Sequence, residues 1–219
     1  MADLDLRPER RQAVVDRIVA ALSNASPESC LTLRGSLATD AADVYSDIDL
    51  YWVVPDATFE VTVAGAARAL GQVERVVSLR LDPAYARSDR RRLIFARLAG
   101  LPLFWRVDLE VRAASVANDD SYDADNPAAR SEQGWSRPTS AIENAVAAIK
   151  AVLRHQPGVA EGLLRRGYER IGHALDPAAT SAQAIVSLAQ ACAGDDSALE
   201  DMAAQVHHLV DALIGDLGG

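Results

Sequence analysis

Cysteine is scarce in this chain of 219 residues, where Cys30 and Cys192 are the two cysteines and lie far apart. Such thiols argue against a disulfide framework and fit a reducing, cytoplasmic compartment. The four histidines are scattered, which argues against a zinc site. No stretch approaches 18 uncharged apolar residues, so the sequence predicts no membrane-spanning helix and no membrane partner.

Basic residues are also in deficit. The 22 lysines and arginines face 31 aspartates and glutamates, which gives a formal net charge of −9. Residues 1–125 carry 15 basic and 20 acidic groups, and residues 126–219 carry 7 and 11. Because proteins that bind a nucleic-acid backbone usually show a basic stripe, we expect no nucleic-acid partner. An acidic protein suits a polycationic small substrate, and the basic run Arg90–Arg92 is typical of a solvated loop.

The hydrophobic pattern changes along the chain. Up to residue 118, short apolar runs alternate with segments of helical spacing. Residues 119–137 are rich in Asp, Asn, Ser and Pro, as in a linker or long loop. Residues 138–219 are rich in alanine and leucine and contain four segments of helical spacing. We therefore predict an α+β fold in which a domain with a mixed β-sheet (1–118) is followed by a linker (119–137) and a helical bundle (138–219).

Two acids interrupt the apolar run Asp47-Ile48-Asp49-Leu50. On a strand, residues two apart leave the same face, so the carboxylates of Asp47 and Asp49 lie within about 7 Å of one another. Such a pair is repulsive unless a cation lies between the two groups. Because hard oxygen ligands suit Mg²⁺ or Mn²⁺, the pair predicts a divalent metal site.

A later run, from Phe104 to Val111, alternates charged and apolar residues. Arg106, Asp108 and Glu110 share one face of the predicted strand. Asp108 lies centrally among apolar neighbours, and we predict it as a third metal ligand. A solvated strand face with an Arg–Glu pair is the alternative for this run.

Gly35 and Ser36 end the apolar run that precedes the paired acids. Glycine allows a backbone to approach a phosphate closely, and the amides that follow it, with the serine hydroxyl, can donate to phosphate oxygens. A lone Gly-Ser pair ends many strands. Together with paired acids on the next strand, it indicates a site for a metal-bound phosphate.

The pattern RGS…SDIDL followed by VDLEV resembles the nucleotidyltransferase superfamily of DNA polymerase β type, over roughly residues 30–112. With its helical second part, the chain is most similar to the small bacterial aminoglycoside nucleotidyltransferases. The resemblance implies that residues 1–118 are the catalytic domain. It implies two Mg²⁺ or Mn²⁺ ions on Asp47, Asp49 and Asp108, a triphosphate on Gly35 and Ser36, and a nucleotide contact by Ser46.

The implied reaction is metal-dependent transfer of a nucleoside monophosphate, AMP from ATP, to a hydroxyl of a small polycationic acceptor such as an aminoglycoside. We therefore expect a nucleoside triphosphate and a small molecule as partners, and a role in antibiotic resistance. Two alternatives stay open. One is a minimal, antitoxin-type nucleotidyltransferase that AMPylates a macromolecule, and the other is a non-catalytic, nucleotide-binding regulatory domain.

Lys150 is the single lysine among the 22 basic residues. On the helix predicted from Pro138, it shares a face with Glu143 and Arg154. Because an ammonium and a guanidinium are different phosphate ligands, we interpret Lys150 as a ligand of the nucleotide phosphates. Glu143 and Glu110 are the candidates for the base that activates the acceptor. The alternative is a solvated helical stripe and surface acids.

Overall fold

The computed structural model describes residues 3–214, which form two compact units. The first is Leu4–Trp135, and the second runs from Ser136 onward, with Asp3 grouped with it. The α+β prediction is confirmed, since the first unit contains a five-stranded mixed sheet and the second consists of helices. Over the described residues, no helix is long and apolar enough to cross a membrane.

The sheet of the first unit has the strand order β1-β2-β5-β4-β3. β2 and β5 pair in parallel, and the other neighbours are antiparallel. The two strands that carry the predicted acids therefore lie side by side, although a long stretch of chain separates them. The strands are β1 (Cys30–Leu33), β2 (Ile48–Val54), β3 (Val76–Leu81), β4 (Arg91–Leu98) and β5 (Val107–Ala113).

The two faces of the sheet differ in polarity. Ile48, Leu50 and Trp52 alternate along β2 with half-buried residues and are buried on one face. Burial of each side chain contributes about 2 kcal/mol. The other face carries charged residues of β2 and β5, and we call it the polar face. The helices of this unit are α1 (Pro8–Ala25), α2 (Gly35–Ala38) and α3 (Phe59–Leu70), with 3₁₀ turns at Asp56–Thr58, Ala114–Val116 and Pro127–Ala129.

The connection between β4 and β5 is longer than the alternating pattern predicts. The extended runs 92–99 and 103–111, on either side of Gly100-Leu101-Pro102, predict a hairpin whose second strand begins at Leu103, whereas β5 begins at Val107. The Trp105 amide donates to the Pro102 carbonyl oxygen (2.9 Å), which makes a turn instead of a ladder. The Trp105 indole is buried and donates to the Val44 carbonyl oxygen (3.0 Å). This aromatic side chain therefore anchors a loop instead of extending the strand.

The polar stretch 119–137 differs from a free linker. Up to Trp135 it belongs to the first unit. The guanidinium groups of Arg91 and Arg112 donate to backbone carbonyl oxygens of residues 119–122. Contacts of this kind link residues that are distant in sequence, and they leave no periodic signal in the loop itself.

The second unit is a helical bundle. Its helices are α4 (Arg137–Leu153), α5 (Pro157–Arg170), α6 (Ser181–Asp195) and α7 (Glu200–Leu213), with a 3₁₀ turn at Ser197–Leu199. Residue 215, where the sequence predicts the last helix to end, lies outside the described residues. A Cβ at Gly167 of α5 would lie 2.5 Å from Leu188 Cδ2 of α6, so this glycine leaves room for the leucine side chain.

Candidate active site

The predicted acids lie at the beginning of two neighbouring parallel strands. Asp49 of β2 is in register with Asp108 of β5, so the two residues are side by side on the polar face. Asp47 precedes β2, and its carboxylate accepts a hydrogen bond from the Arg106 amide (3.2 Å). The Ile48 amide in turn donates to the Arg106 carbonyl oxygen (2.8 Å). The parallel pairing therefore brings all three predicted acids to one edge of the sheet.

Gly35 lies against the Asp49 carboxylate. Its φ of +59° is in the left-handed region, and a Cβ at this position would lie 3.2 Å from Asp49 Cγ and closer still to Oδ2. The Arg34 amide donates to the Asp49 carbonyl oxygen (2.9 Å) and fixes this approach. Glycine is therefore required here for conformation and for space, and the start of α2, with half-buried Ser36, adjoins the acids.

Asp108 is held by an arginine. Arg106 Nε and Nη2 each lie 2.6 Å from a carboxylate oxygen of Asp108, and the guanidinium stacks on Phe95 at 4.7 Å. Among residues 3–214, no three Asp, Glu, His or Cys side chains are gathered as a metal-binding group. Asp49 and Asp108 are in strand register, and carboxylate oxygens are ligands that divalent cations prefer, whereas in this arrangement Arg106 is a cation that pairs with Asp108.

Glu110 is surrounded by arginines. Its carboxylate accepts hydrogen bonds from Arg34 and from Arg112 Nε (2.8 Å), and Arg91 Nε lies 3.0 Å away. The Glu110 side chain is 11% exposed, so these ion pairs are shielded from water. The carboxylate is therefore suited to positioning the arginines, whereas the sequence suggests it as a base.

The sequence interpretation missed the cluster formed by Arg34, Arg91, Arg112 and Glu110, which we call the arginine cluster. It treats Arg90–Arg92 as a solvated run, yet Arg92 is buried and the Arg91 side chain is only 11% exposed. The arginines of the cluster lie on or beside three strands, β1, β4 and β5, which only the sheet brings together. For this reason the local sequence does not show the cluster. The alternating charges of β5 are the one local signal of this cluster.

Ser46 holds the turn before Asp47. Its buried hydroxyl donates to Asp43 Oδ1 (2.9 Å) and accepts from the Asp43 amide (3.1 Å). Arg11 donates to the carbonyl oxygens of both residues. These contacts position the acids, and a nucleotide contact by Ser46 stays a prediction.

Glu143 and Lys150 lie two turns apart on α4 of the second unit. Both side chains are buried (7% and 6% exposed), which contradicts a solvated stripe. Arg154 follows the end of α4 and is exposed. A buried charge is costly unless it is paired, and both side chains take part in interactions with partners. Their roles as base and phosphate ligand stay predictions.

No protein-family model and no curated protein matches the chain. The solved structures that are similar to it include the following three. A cytoplasmic RNA terminal U-transferase is 16% identical with a TM-score of 0.37, over 81% of this chain and 46% of that one. Cid1, named for RNA terminal uridylyl transferase activity, is 15% identical with a TM-score of 0.40, over 85% and 48%. The GLD-2/RNP-8 complex is 13% identical with a TM-score of 0.40, over 86% and 78%.

The chain spans about half the length of the first two structures, 46% and 48%. The prediction of a small-molecule acceptor without nucleic acid is contradicted by these similarities, since the first two structures are named as enzymes that act on RNA. All three TM-scores lie below 0.5. The function proposed below therefore rests on the residues of the site.

Proposed function

We propose that this chain is a metal-dependent nucleotidyltransferase, which transfers a nucleoside monophosphate from a nucleoside triphosphate to a hydroxyl group of a macromolecule. The observation that carries the proposal is the register of Asp49 with Asp108, with Gly35 placed against the Asp49 carboxylate. Two acids on paired strands beside a close-approaching glycine combine cation ligands with room for a phosphate.

The acids and the glycine segment have distinct roles in this proposal. Asp47, Asp49 and Asp108 would hold Mg²⁺ or Mn²⁺, which when bound offsets phosphate charge and favours ionisation of the acceptor hydroxyl. The amide groups after Gly35 and the Ser36 hydroxyl donate to the phosphate oxygens of the triphosphate, with ATP as the first nucleotide to test. Arg106 keeps the Asp108 carboxylate oriented until the cation binds.

A macromolecular acceptor is favoured by the extent of the polar face. Beyond the acids it continues along β5 through Glu110 to Arg112, about 20 Å in all. The nucleoside triphosphate needs only the end of the polar face near Gly35. The rest of this face begins at Arg34, whose side chain is 41% exposed. Glu110 and Arg112 are themselves buried, so the charged groups that a large acceptor would contact here are the exposed side chains of Arg34 and Asp120.

The test is transfer of label from α-labelled nucleoside triphosphates to macromolecules in the presence of Mg²⁺, with RNA and protein acceptors in separate reactions. We expect incorporation by the wild type and by Asp16→Asn, a control on the exposed face of α1. Asp49→Asn is expected to abolish it. Nucleotide binding without any transfer by the wild type would support a regulatory domain instead and overturn the proposal.

A further inference from the structure

The arginine cluster carries more positive charge than its buried acid offsets. Arg34, Arg91 and Arg112 surround the single carboxylate of Glu110. Arg112 is the most enclosed, with a side chain that is 1% exposed. Because uncompensated buried charge is costly, the surplus calls for a further anion at the surface of the cluster.

In this structure the further anion is Asp120. Its carboxylate lies 2.8 Å from Arg112 Nη2 and 3.6 Å from Arg34 Nη2. The hydrogen bond from Arg112 holds the pKa of Asp120 below its ordinary value, so the group stays charged at neutral pH. Yet its side chain is 82% exposed, and exposed ion pairs contribute little. The Asp120 carboxylate therefore covers the arginines without being held firmly.

Stacking fixes the guanidinium planes that Asp120 meets. The Arg34 guanidinium lies over the Tyr51 ring at 4.4 Å, and that of Arg112 lies 5.3 Å from the same ring. Tyr51 is itself held, because its hydroxyl donates to the Ala117 carbonyl oxygen. Arg34 Nη2 and Arg112 Nη2 both face the Asp120 carboxylate, so these two nitrogens can contact the oxygens of one phosphate in its place.

The guanidinium groups of Arg34 and Arg112 can be placed relative to the predicted acids through Tyr51. Tyr51 and Glu110 form the row of the sheet two residues beyond Asp49 and Asp108, about 7 Å along the strands. Arg34 directly precedes Gly35, the predicted start of the triphosphate site. A phosphate bound by Arg34 would therefore lie close to the nucleotide donor, on the side of the acids toward the C-terminal end of β5.

We propose that Arg34 and Arg112 form a phosphate-binding subsite for a single-stranded nucleic-acid acceptor, whose phosphate displaces the Asp120 carboxylate. This inference rests on the proposed nucleotidyl transfer, for which it specifies the acceptor. The subsite holds the strand near its reactive end. Tyr51, under both guanidinium groups, lies two residues from Asp49 on β2, which leaves room for the terminal hydroxyl beside Asp49 and Asp108.

The experiment measures binding of fluorescein-labelled single-stranded RNA of about 15 nucleotides in EDTA, which prevents transfer. Arg34→Gln is expected to weaken RNA binding about tenfold and to lower the slope of log Kd against log salt by about one. Asp120→Asn is expected to tighten binding about threefold, because it removes the competing anion. The control is Arg68→Gln, which removes the same charge from the exposed side of α3 and should leave binding unchanged.

Three results would overturn the subsite. One is equal RNA binding by Arg34→Gln and Arg68→Gln. Another is weakened ATP binding by Arg34→Gln with RNA binding at the wild-type level, which would assign the phosphate to the donor. The last is labelling of a protein by a wild type that does not bind RNA. The proposed function fails separately, since wild type that binds RNA but transfers no nucleotide would contradict transfer and leave the subsite intact.

Discussion

Gly35 and Asp49 are packed so closely that no side chain fits between them. A Cβ on Gly35 would lie 3.2 Å from Asp49 Cγ, and the φ of +59° is unfavourable for any other residue. The contact joins the end of β1 to the acids of β2, and the geometry of the proposed site depends on it.

Gly35→Ala is expected to lower the free energy of unfolding by about 1–2 kcal/mol, because it adds left-handed strain and a contact with Asp49. Chemical denaturation measures this, together with nucleotidyl transfer, which we expect to be lost. Gly100→Ala is a matched control, since Gly100 has a φ of +69° and nothing within 4 Å of its Cβ position. Equal effects of the two variants on stability and transfer would show that the Asp49 contact is unimportant.

Asp49→Asn is expected to abolish transfer while the metal-free protein keeps or gains thermal stability, because removing a carboxylate relieves repulsion between acids. Asp47→Asn and Asp108→Asn should also abolish transfer. Thermal unfolding with and without Mn²⁺ checks this, as stabilisation by the ion should disappear. Full activity of Asp108→Asn combined with an inactive Glu110→Gln would transfer the third-ligand role to Glu110.

Arg106→Gln is expected to increase the affinity for Mn²⁺, because the guanidinium competes for both oxygens of Asp108. The same change should lower metal-free stability by about 1 kcal/mol, since Asp108 loses its ion pair. Calorimetric titration with Mn²⁺ and denaturation in EDTA measure the two effects. Unchanged Mn²⁺ affinity would mean that Asp108 does not bind the ion.

Lys150→Arg is expected to reduce transfer efficiency at least tenfold, because the longer, planar guanidinium cannot replace a compact ammonium at a buried position. Arg154→Lys, just beyond α4 and exposed, is the control and should behave as wild type. Steady-state kinetics with varied ATP, alongside circular dichroism to verify folding, test the role. Wild-type kinetics in a folded Lys150→Arg would exclude Lys150 as a phosphate ligand.

Cys192 is expected to make the free energy of unfolding depend on pH in the alkaline range. Burial raises the pKa of its thiol from 9.0 to about 12. The unfolded state therefore loses this proton at lower pH than the folded state, so stability present below pH 9 should fall as the pH rises toward 12. Denaturation across this range, compared with Cys192→Ala, measures the effect. An identical pH dependence in both proteins would contradict a buried, neutral thiol.

Local sequence pattern determined much of the fold. The helical period and Pro8 predict α1, observed at Pro8–Ala25, and the alternation of Asp47 and Asp49 with buried residues predicts one face of β2. Both features depend on residues a few positions apart, where periodicity and backbone preference act directly. The position of Asp49 on a strand was therefore readable from the sequence, whereas Asp47 directly precedes that strand.

Tertiary structure decided which distant residues meet. The parallel pairing of β2 with β5 places Asp108 beside Asp49, and the sheet order brings Arg34 and Arg112 together around Glu110. Strand partners and ion pairs between strands are set by packing of the whole sheet, because their free energy comes from contacts that no local window of sequence contains.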